Sequence, residues 1–459
     1  MAFESVPVKV ESSRWLEQLK RLWQLALPIM GLQVLQSLNG VADTIIAGQF
    51  SKAALAQVAM GSGFWMPLLV FGSGLFSGTS ALTAYALGAG QSTKVRQLLS
   101  ASLVLVLLVS VVVIIGLSFV PALFDTFQIE PALQGGVDAY LTQVGYGLPG
   151  FFLFAALRGW AEGLRWTRPT VLVAAMALLF NVCLSYSLVF GHGPWPPLGA
   201  VGCGIATAIT FWLLPIVMGL LMWRQGLVAR YQKEGEALFA QVHGQTIIRL
   251  CQVGGPVALS AFVEASFFCV IVLGLAPLGV VNIAAHQIAL SVSSTLFMIP
   301  LGLNFALTVA VGEAFGANDT PRVLQLIRVG MGLSLSIALS YALLLWLARG
   351  SIVLVFTRDA AVAALAVDLL ALAAIFQIPD GVQVAFNGIL KGLQDTFIPM
   401  FISLSAYWVI GAPIGYYLVF FGPWPLEARG AWIGLIIGLS FASAIYSVRL
   451  YLKIKKLGN

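Results

Sequence analysis

The sequence predicts an all-α integral membrane protein with twelve transmembrane helices in two six-helix lobes. Three observations predict it: the hydrophobicity of the chain, the distribution of its basic residues, and an internal repeat. Of the 459 residues, 59% are hydrophobic and 9% are charged, and the mean hydropathy is +0.95. A soluble domain carries about 25% charged residues, so a chain this apolar must place much of its surface in lipid.

Charged or Pro- and Gly-rich gaps divide the chain into twelve apolar segments. Each is long enough to cross a hydrocarbon core of about 30 Å as a helix. Helices are required because backbone amides in lipid need internal partners, and the alternating pattern of membrane strands is absent. The predicted spans are residues 22–48, 54–86, 97–121, 134–158, 169–190, 200–223, 248–276, 281–313, 325–348, 361–390, 397–421 and 430–452.

The basic residues lie mostly on one side of these spans. With the N-terminus in the cytoplasm, 20 of the 24 Lys and Arg residues fall on the cytoplasmic side. The other side has only Lys52, Arg349, Arg358 and Arg429. Because short cytoplasmic loops are enriched in Lys and Arg, both termini of this multi-pass protein of the cell (inner, plasma) membrane are predicted to be cytoplasmic. The net charge of +6 forms no patch, which argues against a nucleic-acid partner.

Residues 1–21 are predicted to be a cytoplasmic N-terminal segment. Trp15, Leu16 and Leu19 recur there at helical spacing among charged residues, which indicates a short interfacial helix leading into the first span. The charges and the long first apolar run argue against a cleavable signal. The four cysteines are widely spaced without a CxxC pair, so neither a disulfide framework nor a metal cluster is expected.

The two halves of the chain repeat each other. Residues 26–99 match residues 254–327 at a constant offset of 228, and the offset then drifts to 229–230. The matched features are Pro28 with Pro256, Gly74-Leu75 with Gly302-Leu303, Gly88 to Leu98 with Gly316 to Leu326, Pro149 with Pro379, Gly163-Leu164 with Gly392-Leu393, and Gly193-Pro194-Trp195-Pro196 with Gly422-Pro423-Trp424-Pro425.

The repeat predicts the domain organisation. We expect an N-lobe at 22–223, a cytoplasmic linker at 224–245 and a C-lobe at 246–459. Six spans per repeat give both lobes the same orientation, so they are predicted to be parallel repeats about an axis along the membrane normal. Their interface is then the expected place for a cavity, and rocking of the lobes gives alternating access.

Three carboxylates lie well within predicted spans: Asp43, Glu264 and Asp380. A carboxylate in hydrocarbon is costly unless it is protonated, paired or hydrated, so functional roles are the first interpretation. A protonated carboxyl group bonded to a neighbouring helix is the structural alternative.

Polar residues accompany each acid at helical spacing, which predicts two sites. In the N-lobe, the expected cavity residues are Asp43, Asn39 and Gln36 of the first span, and Asn181 of the fifth. In the C-lobe, a site for the coupling cation or the substrate is predicted at Glu264, Asp380, Phe376, Gln287, His286, Ser260 and Gln383, with Phe267 and Phe268 as aromatic lining of the cavity.

The residue types leave several ligands open. A carboxyl group among apolar walls can exchange a proton at physiological pH. With amide or backbone oxygens beside it, it can hold Na⁺, here at Glu264 and Asp380. With aromatic rings beside it, it can hold a bulky organic cation. His286 fits a structural hydrogen bond as well as a proton relay.

Six segments resemble the multidrug and toxic compound extrusion (MATE) family, in its NorM-type bacterial branch. They are Val41 to Gly48, Gly199 to Thr207, Phe262-Val263-Glu264, Ala284 to Leu290, Asp380 to Val384 and Gly388 to Gly392. The resemblance implies the MATE fold and export of cationic drugs and dyes, driven by inward flow of Na⁺ or H⁺. It also implies that Asp43 serves the N-lobe and that Glu264 and Asp380 line a C-lobe cation site.

Two positions depart from the family pattern. NorM-type proteins often have a Tyr one turn before the tenth-span acid, where this chain has Phe376, so a hydroxyl ligand is missing there. In the fifth span Ser185 stands where the DinF-type branch carries an Asp. This leaves Asp43 as the only charge of the N-lobe site.

Other function classes fit the sequence less well. The loop from Gly88 to Leu98 lacks the basic pattern typical of another twelve-helix secondary carrier, the major facilitator type. A lipid-linked precursor flippase of the same superfamily tends to have fourteen spans and a cationic cavity. No motif indicates an enzyme, and we expect a monomer without an organic cofactor.

Overall fold

The structure is a computed structural model, which describes residues 12–124, 131–192, 196–231, 243–421 and 426–457. Residues 193–195 and 422–425 of the repeated Gly-Pro-Trp-Pro segments, and residues 232–242 of the predicted linker, lie outside these ranges. Twelve described helices are long and apolar enough to cross a membrane, which confirms the predicted number. They are α1 (Ser12–Phe50), α2 (Lys52–Gly88), α3 (Ser92–Ser118), α4 (Pro131–Gly163), α5 (Arg168–Phe190), α6 (Ala200–Arg224), α7 (Gly244–Leu275), α8 (Val280–Gly316), α9 (Thr320–Phe356), α10 (Ala360–Gly392), α11 (Phe397–Phe420) and α12 (Ala428–Leu457).

Helix ends are fixed by short polar segments. The Asp359 carboxylate accepts the backbone N–H groups of Ala361 and Val362 at 2.9 and 3.0 Å, and so caps the start of α10. Asp319 caps α9 in the same way. Such caps satisfy amides that have no partner within the helix. They allow connections as short as Ser51, which alone separates α1 from α2.

Two helices differ from the regular spans predicted. The predicted interfacial segment is continuous with the first span, because α1 runs unbroken from Ser12 to Phe50. In α11, Ser405–Gly411 forms a π-helical segment between two α-helical parts. Such wide turns occur often at functional sites, since they turn side chains away from the regular helical register.

Helix packing follows the same scheme in both halves. In the first half, α2 packs on α4, α4 on α6, α6 on α5, and α5 on α1. In the second half, α8 packs on α10, α10 on α12, α12 on α11, and α11 on α7. Every pair in one half therefore has its counterpart six helices later, as expected if each half is one lobe. The residue bounds of the lobes and of the linker stay predictions.

The lobes meet through α1, α2, α7 and α8. Here α1 packs on α8, α7 on α2, and α2 on α8, as a two-fold relation between the repeats requires. A side chain at Gly74 would overlap the backbone of Ala258, and one at its counterpart Gly302 would overlap the backbone of Met30. Met30 and Ala258 are themselves separated by the offset of 228. The contacts between the lobes are thus repeated as well.

The closest contact between the lobes is at the end of the bundle where α2 and α8 terminate, which we call the closed end. A Cβ atom at Gly88 would overlap the backbone oxygen of Glu313, and one at Gly316 would overlap that of Tyr85. Only glycine permits this approach of the two backbones. The lobes must separate here if the bundle is to open at this end.

Gly88→Ala is expected to destabilise this arrangement by about 1–3 kcal/mol, the usual cost of overpacking a close contact. The obstacle is backbone and not a flexible side chain, so it cannot rotate away. Gly332→Ala in α9 is the matched control, because beyond the neighbouring backbone of α9 no described residue has an atom within 4 Å of the added methyl group. Thermal unfolding in detergent measures both. Equal unfolding temperatures for the two variants would refute a tight contact at Gly88.

Candidate functional site

A cavity of about 380 Å³ lies between the two lobes, and we call it the central cavity. It extends along α2 from Trp65 to Ser77 and ends where α2 approaches α7 and α8 closely. Asp43 of α1 and Glu264 of α7 both line it, one from each lobe. The cavity is therefore sealed toward the closed end and carries an acidic group on each side.

The Asp43 carboxylate connects three helices of the N-lobe. Its Oδ1 accepts a hydrogen bond from Ser185 Oγ of α5, and its Oδ2 accepts one from Thr207 Oγ1 of α6, both at 2.8 Å. All three residues are buried. The donors are neutral hydroxyl groups, and Asp43 forms no ion pair with any described residue. Its negative charge is thus available to a ligand in the cavity.

The other predicted N-lobe residues also line the central cavity, namely Asn39, Gln36 and Asn181. The Asn181 amide nitrogen donates to Thr210 Oγ1 at 3.4 Å, while its oxygen accepts no hydrogen bond from a described residue. The Asn39 oxygen is likewise free to accept one. The Gln36 oxygen instead accepts from Arg158 at 3.3 Å, so it is partly engaged in a structural contact.

The two acidic residues of the C-lobe lie at different distances from the central cavity. Glu264 lines the central cavity, and Asp380 is buried beyond it with 2% of its surface exposed. The two carboxyl groups are close enough to interact electrostatically. Asp380 Oδ2 and Gln383 Oε1 are both buried and accept no hydrogen bond from a described residue. Buried acceptors without donors suit a proton or a small cation, because each of these satisfies them.

Tyr407 completes this site and escaped the sequence analysis. Its hydroxyl group donates a hydrogen bond to Glu264 and accepts one from Gln383 Nε2 at 3.5 Å. It lies in the π-helical segment of α11, and its ring packs on Phe267 at 5.5 Å. The hydroxyl that position 376 lacks is therefore present on another helix. The sequence has 11 tyrosines, and no acidic residue lies near Tyr407 in its span. Nothing in the sequence therefore distinguishes Tyr407 from the other tyrosines.

The remaining predicted C-lobe residues take different positions. Ser260 lines the central cavity. His286 is buried and accepts a hydrogen bond at Nδ1 from Trp432 Nε1 at 3.2 Å, and Trp432 also packs on Phe376. Gln287 is exposed in an outer groove.

Neither predicted aromatic residue of α7 lines the central cavity. Phe267 is buried and Phe268 is half-buried, and they pack on each other and in the core of the C-lobe. The aromatic residues on the cavity wall are Trp65, Phe151, Phe211, Phe297 and Phe305.

The sequence analysis also missed two buried basic residues. The count of Lys and Arg on each side of the spans placed Arg158 and Lys391 at the cytoplasmic surface. The structure buries both. Arg158 forms an ion pair with Glu162 at 2.7 Å and donates to Gln33 at 2.9 Å. Lys391 donates to Asn304 at 2.8 Å. The two cations are thus satisfied by internal partners at the base of the cavity.

Tyr407→Phe is expected to weaken binding of Na⁺ by about tenfold, because the hydroxyl oxygen is lost as a ligand and a polar contact with a charged group contributes about 1.5–3 kcal/mol. The ring stays in place, so packing against Phe267 is kept. Transport rate measured against the concentration of the coupling cation gives the apparent affinity. Tyr416→Phe, at an exposed site of α11, is the control. The same affinity in both variants would exclude a role for the Tyr407 hydroxyl group.

Twelve apolar helices in two repeated lobes around a cavity with acidic walls define a membrane carrier. The sequence model of the MatE family matches residues 28–187 and 256–417, one match in each lobe. The chain therefore belongs to the MatE family, which confirms the resemblance found in the sequence.

Two relatives extend this match over nearly the whole chain. The chain is 36% identical over 442 residues to the probable multidrug resistance protein NorM of Acinetobacter baylyi, covering 96% of this chain and 98% of the relative. It is also 36% identical over 441 residues to the NorM protein of Shewanella oneidensis, covering 94% of each. The predicted NorM-type branch is thus supported as well.

Solved structures confirm the MATE fold. A crystal structure of the eukaryotic MATE transporter AtDTX14 superposes with a TM-score of 0.87 at 20% identity, over 96% of this chain and 98% of that one. An outward-facing MATE transporter of the MOP superfamily superposes with a TM-score of 0.86, also at 20% identity, over 96% of this chain and 97% of that one.

Proposed function

We propose that this protein is a cation-coupled antiporter that exports cationic drugs, dyes and related toxic compounds by alternating access. One observation carries the proposal: the central cavity has a carboxyl group from each lobe, and neither forms an ion pair with a described residue. An organic cation would find negative charge at Asp43 and Glu264 and aromatic rings such as Trp65 around it. The names of the two NorM relatives support this substrate class.

The coupling cation, Na⁺ or H⁺, is proposed to bind at Glu264 and Asp380. Asp380 Oδ2 and Gln383 Oε1 supply unsatisfied acceptors, and the Tyr407 hydroxyl oxygen lies beside them. This donor set of oxygens fits Na⁺, and the carboxyl groups alone fit a proton. Because Glu264 belongs to both the cavity and this site, cation and substrate would compete for its charge, and such competition couples their movements.

The topology follows from the same proposal. We place the closed end in the cytoplasm, with both termini there and the protein in the inner membrane, because the basic residues concentrate on that side. A monomer holds both acidic sites within one chain. The twelve spans and acidic cavity argue against a lipid-linked precursor flippase, and the named relatives are transport or resistance proteins and not enzymes.

Dye efflux in everted membrane vesicles tests the function. We expect uptake of ethidium into the vesicle lumen when a Na⁺ gradient or a pH gradient drives cations out of it, and not in vesicles without the protein. Imposing the two gradients separately identifies the coupling cation. No ethidium movement under either gradient would exclude the proposed function.

A further inference from the structure

A second cavity, of about 440 Å³, lies at the closed end and touches both lobes. Four arginines line it, and we call it the arginine pocket. Arg21 comes from α1, Arg165 and Arg168 from the start of α5 and the turn before it, and Arg322 from α9. Apolar side chains form much of the remaining wall, among them Leu22 and Leu25 of α1 and Leu326 of α9.

Carboxylates only partly balance these arginines. Glu313 pairs with both Arg165 and Arg322, and Glu17 pairs with Arg21 in an exposed contact. Arg168 forms no ion pair with a described residue, and Arg322 Nε is buried without an acceptor. Within the part of the chain that the structure describes, these four arginines therefore share two carboxylates.

The internal repeat shows that this charge is not required by the fold. The backbone is repeated closely: Arg165 and its counterpart Gln394 both have positive φ, 63° and 57°, and α5 and α11 begin three residues later in each case. The side chains are not repeated. Counterparts of the four arginines Arg21, Arg165, Arg168 and Arg322 are, in order, Arg249, Gln394, Phe397 and Lys94. The corresponding region of the C-lobe thus has the same backbone conformation with two basic residues in place of four.

The position and walls of the pocket indicate which anion it takes. It lies where α1 and α5 begin and α4 ends, and so at one end of the helical bundle. Trp15 and Leu16 of α1 are 40% and 59% exposed there, one turn before the pocket begins at Gln18. A dissolved phosphate ion would use the arginines and leave the apolar wall unused. A phospholipid would use both, with its phosphate on the arginines and its acyl chains along α1.

We propose that the arginine pocket binds the phosphate headgroup of an anionic phospholipid from the membrane leaflet at the closed end. Basic pockets between helices on the cytoplasmic side hold such headgroups through charge and hydrogen bonds. Arg21 lies on α1 and Arg168 on α5, both helices of the first half, and Arg322 lies on α9 of the second half, so one bound headgroup would hold the two halves together. An anionic lipid would then stabilise the conformation that is closed at this end, because separation of the lobes takes the site apart.

Native mass spectrometry of the delipidated protein in detergent tests the proposal by titration with phosphatidylglycerol. The wild type is expected to bind one phosphatidylglycerol in preference to phosphatidylcholine. Arg21→Gln combined with Arg168→Gln is expected to weaken that binding by about tenfold or more, since each basic residue contributes to headgroup affinity. These two arginines are chosen because neither contacts Glu313.

Arg249→Gln combined with Lys94→Gln also removes two positive charges, at the counterparts of Arg21 and Arg322 in the repeat, and should change the affinity less than about twofold. Equal losses in both double variants would mean general surface attraction and would overturn the proposal. So would unchanged binding in the first. If inorganic phosphate raised the unfolding temperature of the wild type and phosphatidylglycerol did not bind, the ligand of the pocket would be a soluble anion, and the proposal would be overturned. Thermal unfolding of each variant without lipid confirms that it is folded.

Discussion

Asp43→Asn is expected to reduce cation-coupled export at least about tenfold, because loss of a charge-assisted contact costs about 1.5–3 kcal/mol. Asparagine has nearly the same size as aspartate, and its oxygen can still accept from Ser185 or Thr207. The negative charge is lost, however, and among the described residues of the N-lobe no other carboxylate lines the central cavity. The variant should therefore fold normally and fail to hold a cationic substrate.

Ethidium efflux from cells and binding of ethidium to the purified protein measure the two parts of this prediction. Asp138→Asn is the matched control, since Asp138 is exposed near the start of α4 and the substitution is the same chemical change. Ser185→Ala provides an intermediate case, because it removes one hydroxyl donor and keeps the charge. Export by Asp43→Asn at the rate of the Asp138 variant would show that the N-lobe acid has no role in transport.

Much of the fold could be predicted because lipid imposes a simple physical requirement. Apolar runs of sufficient length must be helices, and the repeat sets their pairing. Span ends were predicted less well, since helices continue beyond the hydrocarbon wherever a cap or a charged turn suits them. Thus α1 begins at Ser12 and reaches Phe50, whereas the apolar run alone indicated residues 22–48.

The acids of the site were predictable for a related reason. A carboxylate within a span is costly, so Asp43 and Glu264 stand out in the sequence. Their partners are neutral hydroxyl groups on other helices, and the chain has many of these. Selecting Thr207 or Tyr407 requires the rotation of α6 and α11 about their axes, which depends on packing and, in α11, on the π-helical segment.

Basic residues near helix ends were the least predictable. Their sequence positions put Arg158 and Arg168 near the same end of neighbouring spans, so the sequence analysis counted both on the cytoplasmic side. In the structure Arg158 turns inward to Glu162, while Arg168 is exposed in the arginine pocket. The difference arises because Glu162 lies one turn after Arg158 and is itself buried, so each charge makes burial of the other possible.

The C-lobe site separates substrate contact from cation contact. Glu264 lines the central cavity, whereas Asp380 lies behind it and does not. A substrate in the cavity can therefore reach Glu264 directly, while a proton or Na⁺ can pass on to Asp380. Removing one charge at a time should accordingly give two different defects.

Asp380→Asn is expected to abolish gradient-driven export, with at least about a tenfold loss, while ethidium binding stays within about twofold of the wild type. Glu264→Gln should weaken both, because its carboxyl group belongs to the cavity and to the cation site. Transport in proteoliposomes under an imposed gradient, with ethidium binding at equilibrium, separates these defects. If Asp380→Asn lost substrate binding as strongly as Glu264→Gln, the two acids would act as a single substrate site. The coupling cation would then have to be displaced elsewhere, and among the described residues that line the cavity Asp43 is the remaining carboxylate where that exchange could occur.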